Sequence, residues 1–347
     1  MLISIVCSII IEKRGGFMLI LAKAAMAIMM GFVISIVVGF VAIPILKKLN
    51  IGQNVSTTIN ARHLKKNGTP TMGGIIFILA TLISLLLLLF LKKIEVTHNL
   101  IILVLVFISY AVLGFVDDWL KVRYKNNKGL RISTKLVAQM AISLVFFYIF
   151  MYYGGSSTLE FSFLRLEIPL GWMFGLFILL VLVGSSNAVN VTDGLDGLAG
   201  GLSAIAFAAY GIIAWNCGWL VGYQEIAIFS FILVGALLGF LVFNSHPAKV
   251  FMGDLGSLSL GAALATIAIL TRHEFSLVLI GGVFVVETLS SLIQMFLIIN
   301  FNKRIFKKAP LHHHFEELGW TEQDIVKLFW VSGFLLAMLA ITYGVWL

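Results

Sequence analysis

Ten long apolar runs constrain this chain more than any other feature. A helix that crosses a bilayer needs ~20 mostly apolar residues, and the hydrocarbon layer excludes unpaired backbone groups. The runs lie at residues 18–46, 72–91, 99–116, 134–153, 171–186, 198–216, 226–243, 256–271, 275–300 and 326–346. The sequence therefore predicts an all-α polytopic membrane protein with about ten transmembrane helices. A count of nine or eleven stays open, because the fifth and eighth runs are short.

The composition agrees with a protein whose main partner is the lipid bilayer. Of the 347 residues, 60% are hydrophobic and 12% are charged, which lies outside the range of water-soluble domains. The net charge of +8 is explained by basic loops that orient the chain, so no nucleic-acid partner is expected. We divide the chain into an N-terminal extension, 1–17, and a single transmembrane domain, 18–347.

Charge also predicts the orientation of the chain. Lys and Arg accumulate in cytoplasmic loops, and 17 of the 24 lie in or beside the loops after runs 1, 3, 5, 7 and 9. We therefore place these loops in the cytoplasm, and ten spans then leave both termini extracytoplasmic. The same loops or their helix ends hold all six aspartates: Asp117, Asp118, Asp193, Asp196, Asp254 and Asp324. One face of the membrane is expected to hold the chemistry.

The stretch "NAVNVTDGLDGLAGG", residues 187–201, places four polar side chains three residues apart: Asn187, Asn190, Asp193 and Asp196. Each step of three turns a helix by about 300°, so the first and last members would face opposite ways on a straight helix. The glycines that follow favour a break in the helix. We interpret the stretch as backbone wrapped around something polar, since a simple turn needs fewer polar residues.

The adjacent carboxylates of Asp117 and Asp118 stand at a membrane boundary, where like charges are costly unless cations or protons offset them. Neighbouring lysines or a divalent metal ion could offset the charge of the two carboxylates, and Mg²⁺ prefers oxygen ligands. A helix end with solvated charges is the alternative. Asp254, in "VFMGDLGSLSLG", could cap the following helix or supply a third carboxylate to the metal.

Two further polar stretches complete the set. In "RHLKKNGTPTMGG", residues 62–74, Lys66 and the backbone could hold an anion, with Thr69 or Thr71 as a helix cap. An orienting basic loop with a capped helix explains the same residues. In "PLHHHFE" the three adjacent histidines point in different directions, so we favour phosphate or sugar contacts over zinc. Glu316 and Glu317, which follow, are expected to face solvent.

Glu287 is the one carboxylate well inside an apolar run. A hydrogen bond between helices or a protonated acid explains it better than catalysis. The length of this ninth run is compatible with a bent helix that opens a groove towards the lipid.

The stretches "GTPTMGG", "VDDWLK", "NAVNVTDGLDGLAGG", "VFMGDLGSLSLG" and "PLHHHFE" occur in this order between apolar helices. In them the sequence resembles the phospho-N-acetylmuramoyl-pentapeptide transferase family over roughly residues 18–347. Val191 stands where the family pattern has Leu. The resemblance implies a ten-helix homodimer of the bacterial cytoplasmic membrane whose active site faces the cytoplasm. It also implies Mg²⁺-dependent transfer of phospho-MurNAc-pentapeptide from UDP-MurNAc-pentapeptide to undecaprenyl phosphate, with release of UMP and formation of lipid I.

The same resemblance implies roles for individual residues. The catalytic candidates are Asp117, Asp118, Asp254 and His313, of which the three aspartates are also the metal candidates, with Asp254 the best Mg²⁺ ligand. Asp117 would meet the lipid phosphate, as its base or otherwise, and a covalent aspartyl intermediate is the competing mechanism. The substrate-binding candidates are Lys66, Thr71, Lys121, Lys135, Asn187, Asn190, Asp193, Asp196, Asn244, Phe251, Gln294, His312 and His314. Phe251 suits stacking on uracil.

Two other functions fit part of the pattern. A sister enzyme that transfers GlcNAc-1-phosphate to a polyprenyl phosphate would share the aspartate stretches, but the unbroken "PLHHHFE" favours the muramoyl donor. An ion-coupled transporter would place its ionisable groups near the bilayer midplane and often repeat its halves. Here the acids lie at one membrane face, which favours an enzyme.

Overall fold

The computed structural model describes residues 2–49, 68–124, 129–161, 166–218 and 220–346, and these are almost entirely helical. The helices are α1 (Leu2–Lys48), α2 (Gly74–Phe90), α3 (His98–Arg123), α4 (Ile132–Tyr152), α5 (Phe174–Thr192), α6 (Leu198–Asn216), α7 (Tyr223–Asn244), α8 (Gly253–Leu270), α9 (Glu274–Ile280), α10 (Gly282–Phe301), α11 (Leu311–Glu317) and α12 (Glu322–Trp346). One antiparallel hairpin, β1 (Thr158–Phe161) and β2 (Leu166–Pro169), precedes a 3-10 turn that leads into α5.

The all-α polytopic prediction is confirmed. Within the described ranges, nine helices are long and apolar enough to cross a membrane, and α2 is a shorter apolar helix of 17 residues. The predicted ninth run is divided at Gly281 into α9 and α10, as the expected bend requires. The eighth helix begins at Gly253 rather than at residue 256, which places Asp254 in its first turn. Helix α1 begins at Leu2, so the proposed extension is continuous with the first span.

Helices α7 and α8 form the centre of the bundle, because most of their residues are buried. Helix α7 packs against α1 and α6, and α8 packs against α3 and α5. At Gly114 the backbone of α3 touches the start of α8, where an added Cβ would lie 2.2 Å from the carbonyl oxygen of Asp254. This close approach brings the end of α3 beside the first turn of α8.

The connecting segments gather at two ends of the bundle. At one end, the start of α3 meets the segment after α6, where Asn99 Nδ2 donates to the carbonyl oxygen of Val221 at 2.8 Å. At that end too, the Arg272 guanidinium donates to Thr158 Oγ1 at 2.8 Å, which joins the hairpin to the segment after α8. The polar stretches singled out in the sequence gather at the opposite end, as a chain that repeatedly crosses a membrane requires.

Candidate active site

Three carboxylates from two helices meet at this second end. Asp117 and Asp118 lie in the last turns of α3 and are 3% exposed, and Asp254 lies in the first turn of α8. One oxygen from each lies within 4.8 Å of the others, close enough for all three to bind one metal ion. The structure thus brings the three predicted metal candidates together in one cluster.

Two lysines neutralise the carboxylates. Lys121 Nζ lies 2.6 Å from Asp117 Oδ2, 3.2 Å from Asp254 Oδ2 and 3.5 Å from Asp118 Oδ1. Lys135, in the first turn of α4, has its Nζ 2.5 Å from Asp254 Oδ2 and 4.0 Å from Asp117 Oδ2. Both cations therefore converge on Oδ2 of Asp254. Such buried carboxylates need cations beside them, since unpaired charges are costly to bury.

Backbone groups fix the two aspartates of α3. The Leu255 N–H donates to Asp118 Oδ2 at 3.0 Å, and the Leu130 N–H donates to Asp117 Oδ1 at 2.8 Å. Asp118 therefore accepts a hydrogen bond from the first turn of α8, where negative charge is favoured. The alternative that Asp254 caps this helix is wrong, because Asp254 lies inside the helix and Asp118 accepts the N–H instead.

The stretch 187–201 breaks between α5 and α6, as predicted from its glycines. Asn190 Nδ2 donates to Asp254 Oδ1 and to Ser257 Oγ, each at 2.8 Å. Asp193 follows the end of α5; burial, together with the carboxylates of Asp254, Asp118 and Asp196, raises its pKa well above the usual range. Asn187 is separate from this group, because its side chain donates to the carbonyl oxygen of Val183 in its own helix.

Asp196 belongs to a second cluster beside the first. His246 Nδ1 lies 3.1 Å from Asp196 Oδ2 and 3.3 Å from Glu322 Oε2. Glu322 Oε1 also accepts the backbone N–H of Asp196 at 2.7 Å, and Asp196 Oδ2 accepts the N–H of Ala248 at 3.1 Å. Glu322, at the start of α12, and His246 thus hold Asp196 in place. One atom from each of the three side chains lies within 4.8 Å of the others.

Two amides assigned to substrate binding connect protein segments. Asn244 Oδ1 accepts the Gly197 N–H at 3.1 Å, and its Nδ2 donates to the Val250 carbonyl oxygen at 2.9 Å. Gln294 Oε1 accepts the N–H groups of Ile305 and Phe306, and its Nε2 donates to the carbonyl oxygen of Phe306. Asn244 therefore ties the loop after α5 to the segment before α8, and Gln294 ties α10 to the segment that follows it.

The segment before α2 joins the same end of the bundle. Thr71 is buried beside Gly253 and Asp118. The Phe251 N–H donates to the Pro70 carbonyl oxygen at 2.8 Å, which attaches this segment to the one before α8. The expected Thr69 or Thr71 cap of α2 is wrong: Gly73 and Gly74 instead donate to the carbonyl oxygens of Phe251 and Met252. Lys66 lies outside the described residues.

The three histidines of α11 have different partners. His312 is fully buried, and its Nδ1 lies 2.6 Å from Glu287 Oε2, which confirms that Glu287 joins two helices. His313 Nδ1 lies 2.6 Å from Glu316 Oε2, so the expectation that Glu316 faces solvent is wrong. Burial lowers the pKa of His313 below its usual value. His314 Nδ1 accepts the Lys307 N–H at 3.1 Å.

Sequence reasoning missed Ser257, His246 and Glu322. His246 lies in a polar segment in which only Asn244, Phe251 and Asp254 were singled out, and Glu322 stands four residues before the last apolar run. Nothing in their spacing signals these contacts, because their partners Asn190 and Asp196 lie at least 50 positions away. Only the meeting of α5, α8 and α12 reveals them.

Known proteins match most of the chain. Residues 100–272 match the family model of glycosyl transferase family 4, and residues 66–78 match signature 1 of the phospho-N-acetylmuramoyl-pentapeptide-transferases. A phospho-N-acetylmuramoyl-pentapeptide-transferase of Bacillus subtilis is 48% identical over 320 residues, which cover 92% of this chain and 97% of the relative. The enzyme of Bacillus licheniformis gives the same values. The enzyme of a Geobacillus species is 48% identical over 322 residues, which cover 93% of this chain and 98% of the relative.

The chain belongs to the phospho-N-acetylmuramoyl-pentapeptide-transferase family. It is therefore a transferase and a multi-pass bacterial membrane protein. The signature match includes Thr71, and the longer match includes Asp117, Asp118, Asn190 and Asp254, so the transferase resemblance falls on the residues that the fold brings together.

Proposed function

We propose that this transferase moves phospho-MurNAc-pentapeptide from UDP-MurNAc-pentapeptide to undecaprenyl phosphate, which releases UMP and forms lipid I. The observation that carries the proposal is the cluster of Asp117, Asp118 and Asp254 with Lys121 and Lys135 at one end of a membrane bundle. Phosphoryl transfer depends mainly on charge neutralisation and positioning, which such a cluster supplies. The muramoyl-pentapeptide group of the donor is the one that the similar enzymes are named for.

We further propose Mg²⁺ as the metal of the cluster. Its donor set is made of carboxylate oxygens, which are the ligands Mg²⁺ prefers, and three of them lie within reach of one ion. Asp117, Asp118 and Asp254 would hold it. A bound Mg²⁺ would stabilise the negative charge that develops on the phosphate oxygens.

The chain's own residues have separate parts in the reaction. A phosphate oxygen of the lipid attacks the sugar-linked phosphorus of the donor, the bond from this phosphorus to the bridging oxygen breaks, and UMP leaves with the bond electrons. Lys121 and Lys135 attract the phosphates and offset their charge. We propose direct attack, because a lipid phosphate is largely ionised near neutral pH and needs no base. Asp117 would then orient the lipid phosphate.

The loop 193–197 provides the cradle for the donor's nucleotide. It lies between the carboxylate cluster and the second cluster of Asp196, His246 and Glu322. Phe251 is half-buried in the adjoining segment and offers a ring for stacking on uracil. Lys66, Asn187, Asn244, Gln294 and the histidines of α11 keep their proposed places around this nucleotide or its sugar.

An apolar cavity supports a lipid acceptor. Its volume is 310 Å³, and it is lined by α5, α8, α9 and α10 around the break at Gly281, with Phe177, Leu180, Val278 and Phe284 among its walls. Such a groove suits an isoprenoid chain that enters from the bilayer. The excess of Lys and Arg at the catalytic end supports a cytoplasmic active site. A homodimer remains a prediction of the family resemblance.

The deciding experiment measures UMP release by the purified protein with undecaprenyl phosphate and either UDP-MurNAc-pentapeptide or UDP-GlcNAc. We expect Mg²⁺-dependent release from the muramoyl nucleotide alone. Turnover of UDP-GlcNAc alone would assign the chain to GlcNAc-1-phosphate transfer. Flux of the nucleotide into proteoliposomes without UMP release would favour a transporter.

A further inference from the structure

Glu287 lies inside α10, is fully buried, and directs both carboxylate oxygens at one residue. Oε1 accepts the backbone N–H of His312 at 3.0 Å, and Oε2 lies 2.6 Å from Nδ1 of the same residue. In its carboxylate form Glu287 only accepts hydrogen bonds, and in that form the short contact requires the imidazole proton on Nδ1. The two contacts together fix both the position and the tautomer of His312.

The other ring nitrogen of His312 faces the donor loop. Nε2 is buried and has no hydrogen-bond partner among the described residues. It lies against Gly194, where an added Cβ would come within 2.3 Å of Nε2. Gly194 directly follows Asp193 in the loop 193–197. The contact is therefore too close for a side chain at position 194 and leaves little room for a proton on Nε2.

The two tautomers of His312 differ at this contact. With the proton on Nδ1, a bare nitrogen faces Gly194 and tolerates the close approach, as in weak C–H contacts to acceptors. With the proton on Nε2, a hydrogen atom enters the same space, and a buried N–H is left without an acceptor, which is costly. Only the first tautomer lets the loop lie against the ring.

We propose that Glu287 is a positioning residue for donor binding: it holds His312 in the tautomer whose bare Nε2 faces Gly194, and so keeps Asp193 and Asp196 in place for the nucleotide. The inference rests on the proposed function, because the donor is the ligand of that loop. One hydrogen bond would be enough to join two helices. Glu287 instead makes two hydrogen bonds to His312, and these determine which ring nitrogen carries the proton.

Glu287→Gln tests the inference with almost no change in size. The amide of the variant has a single acceptor, its oxygen, where the carboxylate accepts from two donors, the backbone N–H and the Nδ1–H of His312. The backbone N–H of His312 cannot lose its proton, so it takes the amide oxygen, and the amide NH₂ then donates to Nδ1 and moves the ring proton to Nε2. We expect the KM for UDP-MurNAc-pentapeptide to rise about 10- to 100-fold, as when a carboxylate behind a functional histidine is lost. The KM for undecaprenyl phosphate should not change.

Ser290→Ala is the matched control. Ser290 is 3% exposed on the same helix, and its Oγ donates to the backbone carbonyl oxygen of Glu287 at 2.7 Å. The variant loses a buried hydrogen bond of α10 but keeps both contacts between Glu287 and His312, so its donor KM should equal that of the wild type. Thermal unfolding of both variants in detergent checks that they are folded.

Nitrogen NMR of the protein labelled at its seven histidines reads the tautomer directly. The His312 signals are those lost in His312→Asn. We expect protonated Nδ1 in the wild type and protonated Nε2 in Glu287→Gln. An unchanged tautomer, or an unchanged donor KM with the tautomer reversed, would overturn the inference. Absence of UMP release by the wild type would overturn the proposed function instead, and the spectra would still decide whether Glu287 sets the tautomer.

Discussion

Asn190 and Asp254 meet across two helices: the side-chain amide at the end of α5 donates to Oδ1 of the carboxylate at the start of α8, at 2.8 Å. Lys121 and Lys135 both face the other oxygen, Oδ2. Asp254 therefore has one oxygen held by a neutral group and one surrounded by cations. Oδ2 is the oxygen at which a metal ion would compete with the lysines.

Asp254→Asn should lower the rate of UMP release by at least about 10²-fold, the size of effect seen when one preorganised charged or hydrogen-bonding group is removed from an active site. The amide would point its NH₂ group or a neutral oxygen at two lysines and give up a metal ligand. The folded protein should persist, because the change alters charge rather than packing. Steady-state turnover and thermal unfolding measure the two effects, and near-normal turnover would remove Asp254 from the metal site.

Asn190→Ala should lower kcat by about 10-fold, because Asp254 loses the donor that fixes its orientation and the site loses preorganisation. Thr192→Ala is the control: this buried residue of α5 bonds the carbonyl oxygen of Ala188 in its own helix. The control should keep wild-type kcat. Equal activity of the two variants would show that the contact between Asn190 and Asp254 has no part in the reaction.

Lys135→Gln should lower the Mg²⁺ concentration needed for half-maximal activity and lower kcat at the same time. Its ammonium group lies 2.5 Å from Asp254 Oδ2, so its removal frees an oxygen for the metal, but the phosphates lose a compensating charge. A Mg²⁺ titration of UMP release measures both quantities. Lys327→Gln, an exposed lysine of α12, should leave both at wild-type values. A raised Mg²⁺ requirement in Lys135→Gln would contradict competition between lysine and metal.

The sequence was sufficient for the spans and for the residues that carry the charge. Apolar length predicts helices in a membrane almost without regard to tertiary structure, because the hydrocarbon layer leaves the backbone no other partner. Asp117, Asp118 and Asp254 were also conspicuous, because charged side chains near the hydrocarbon layer are costly and usually have a function. The break within residues 187–201 followed from the glycines and from the spacing of the polar residues.

The pairings within the site were beyond the sequence. Glu322 binds the backbone of Asp196 across 126 residues, and Asn190 binds Asp254 across 64, so each contact depends on how helices pack rather than on a local pattern. The helix cap proposed at Thr69 or Thr71 was wrong for a related reason. The first N–H groups of α2 find carbonyl oxygens of the segment before α8, which local cap rules do not consider.

Gly114→Ala should destabilise the protein by about 1–3 kcal/mol, the usual effect of overpacking. The new Cβ would lie 2.2 Å from the carbonyl oxygen of Asp254, a backbone atom that cannot turn aside. The helices α3 and α8 would separate, and Asp254 would move away from Asp117. Gly184→Ala is the control, because a Cβ there meets no atom within 4 Å. Equal thermal stability of the two variants would contradict the close approach of α3 to α8.

Glu274 should make stability depend on pH. It begins α9 at the end of the bundle opposite the active site and is 5% exposed. Burial raises its pKa to about 7 from its ordinary value of 4.5. The raised pKa means that the folded protein retains a proton which the unfolded chain releases above pH 4.5. The contribution of Glu274 to the free energy of unfolding is therefore fully present below pH 4.5. It is lost as the pH rises through 7, and the total loss is about 3 kcal/mol.

Glu274→Gln removes the titrating proton and should make the protein more stable than the wild type at pH 8, with little difference at pH 4.5. Thermal unfolding in detergent at these two pH values measures the change. Glu95→Gln, at an exposed acid near the same end of the bundle, should leave the pH dependence of the wild type unaltered. If Glu274→Gln also loses stability between pH 4.5 and 8 as the wild type does, the proton comes from another group, and the buried carboxyl of Glu274 is ionised throughout.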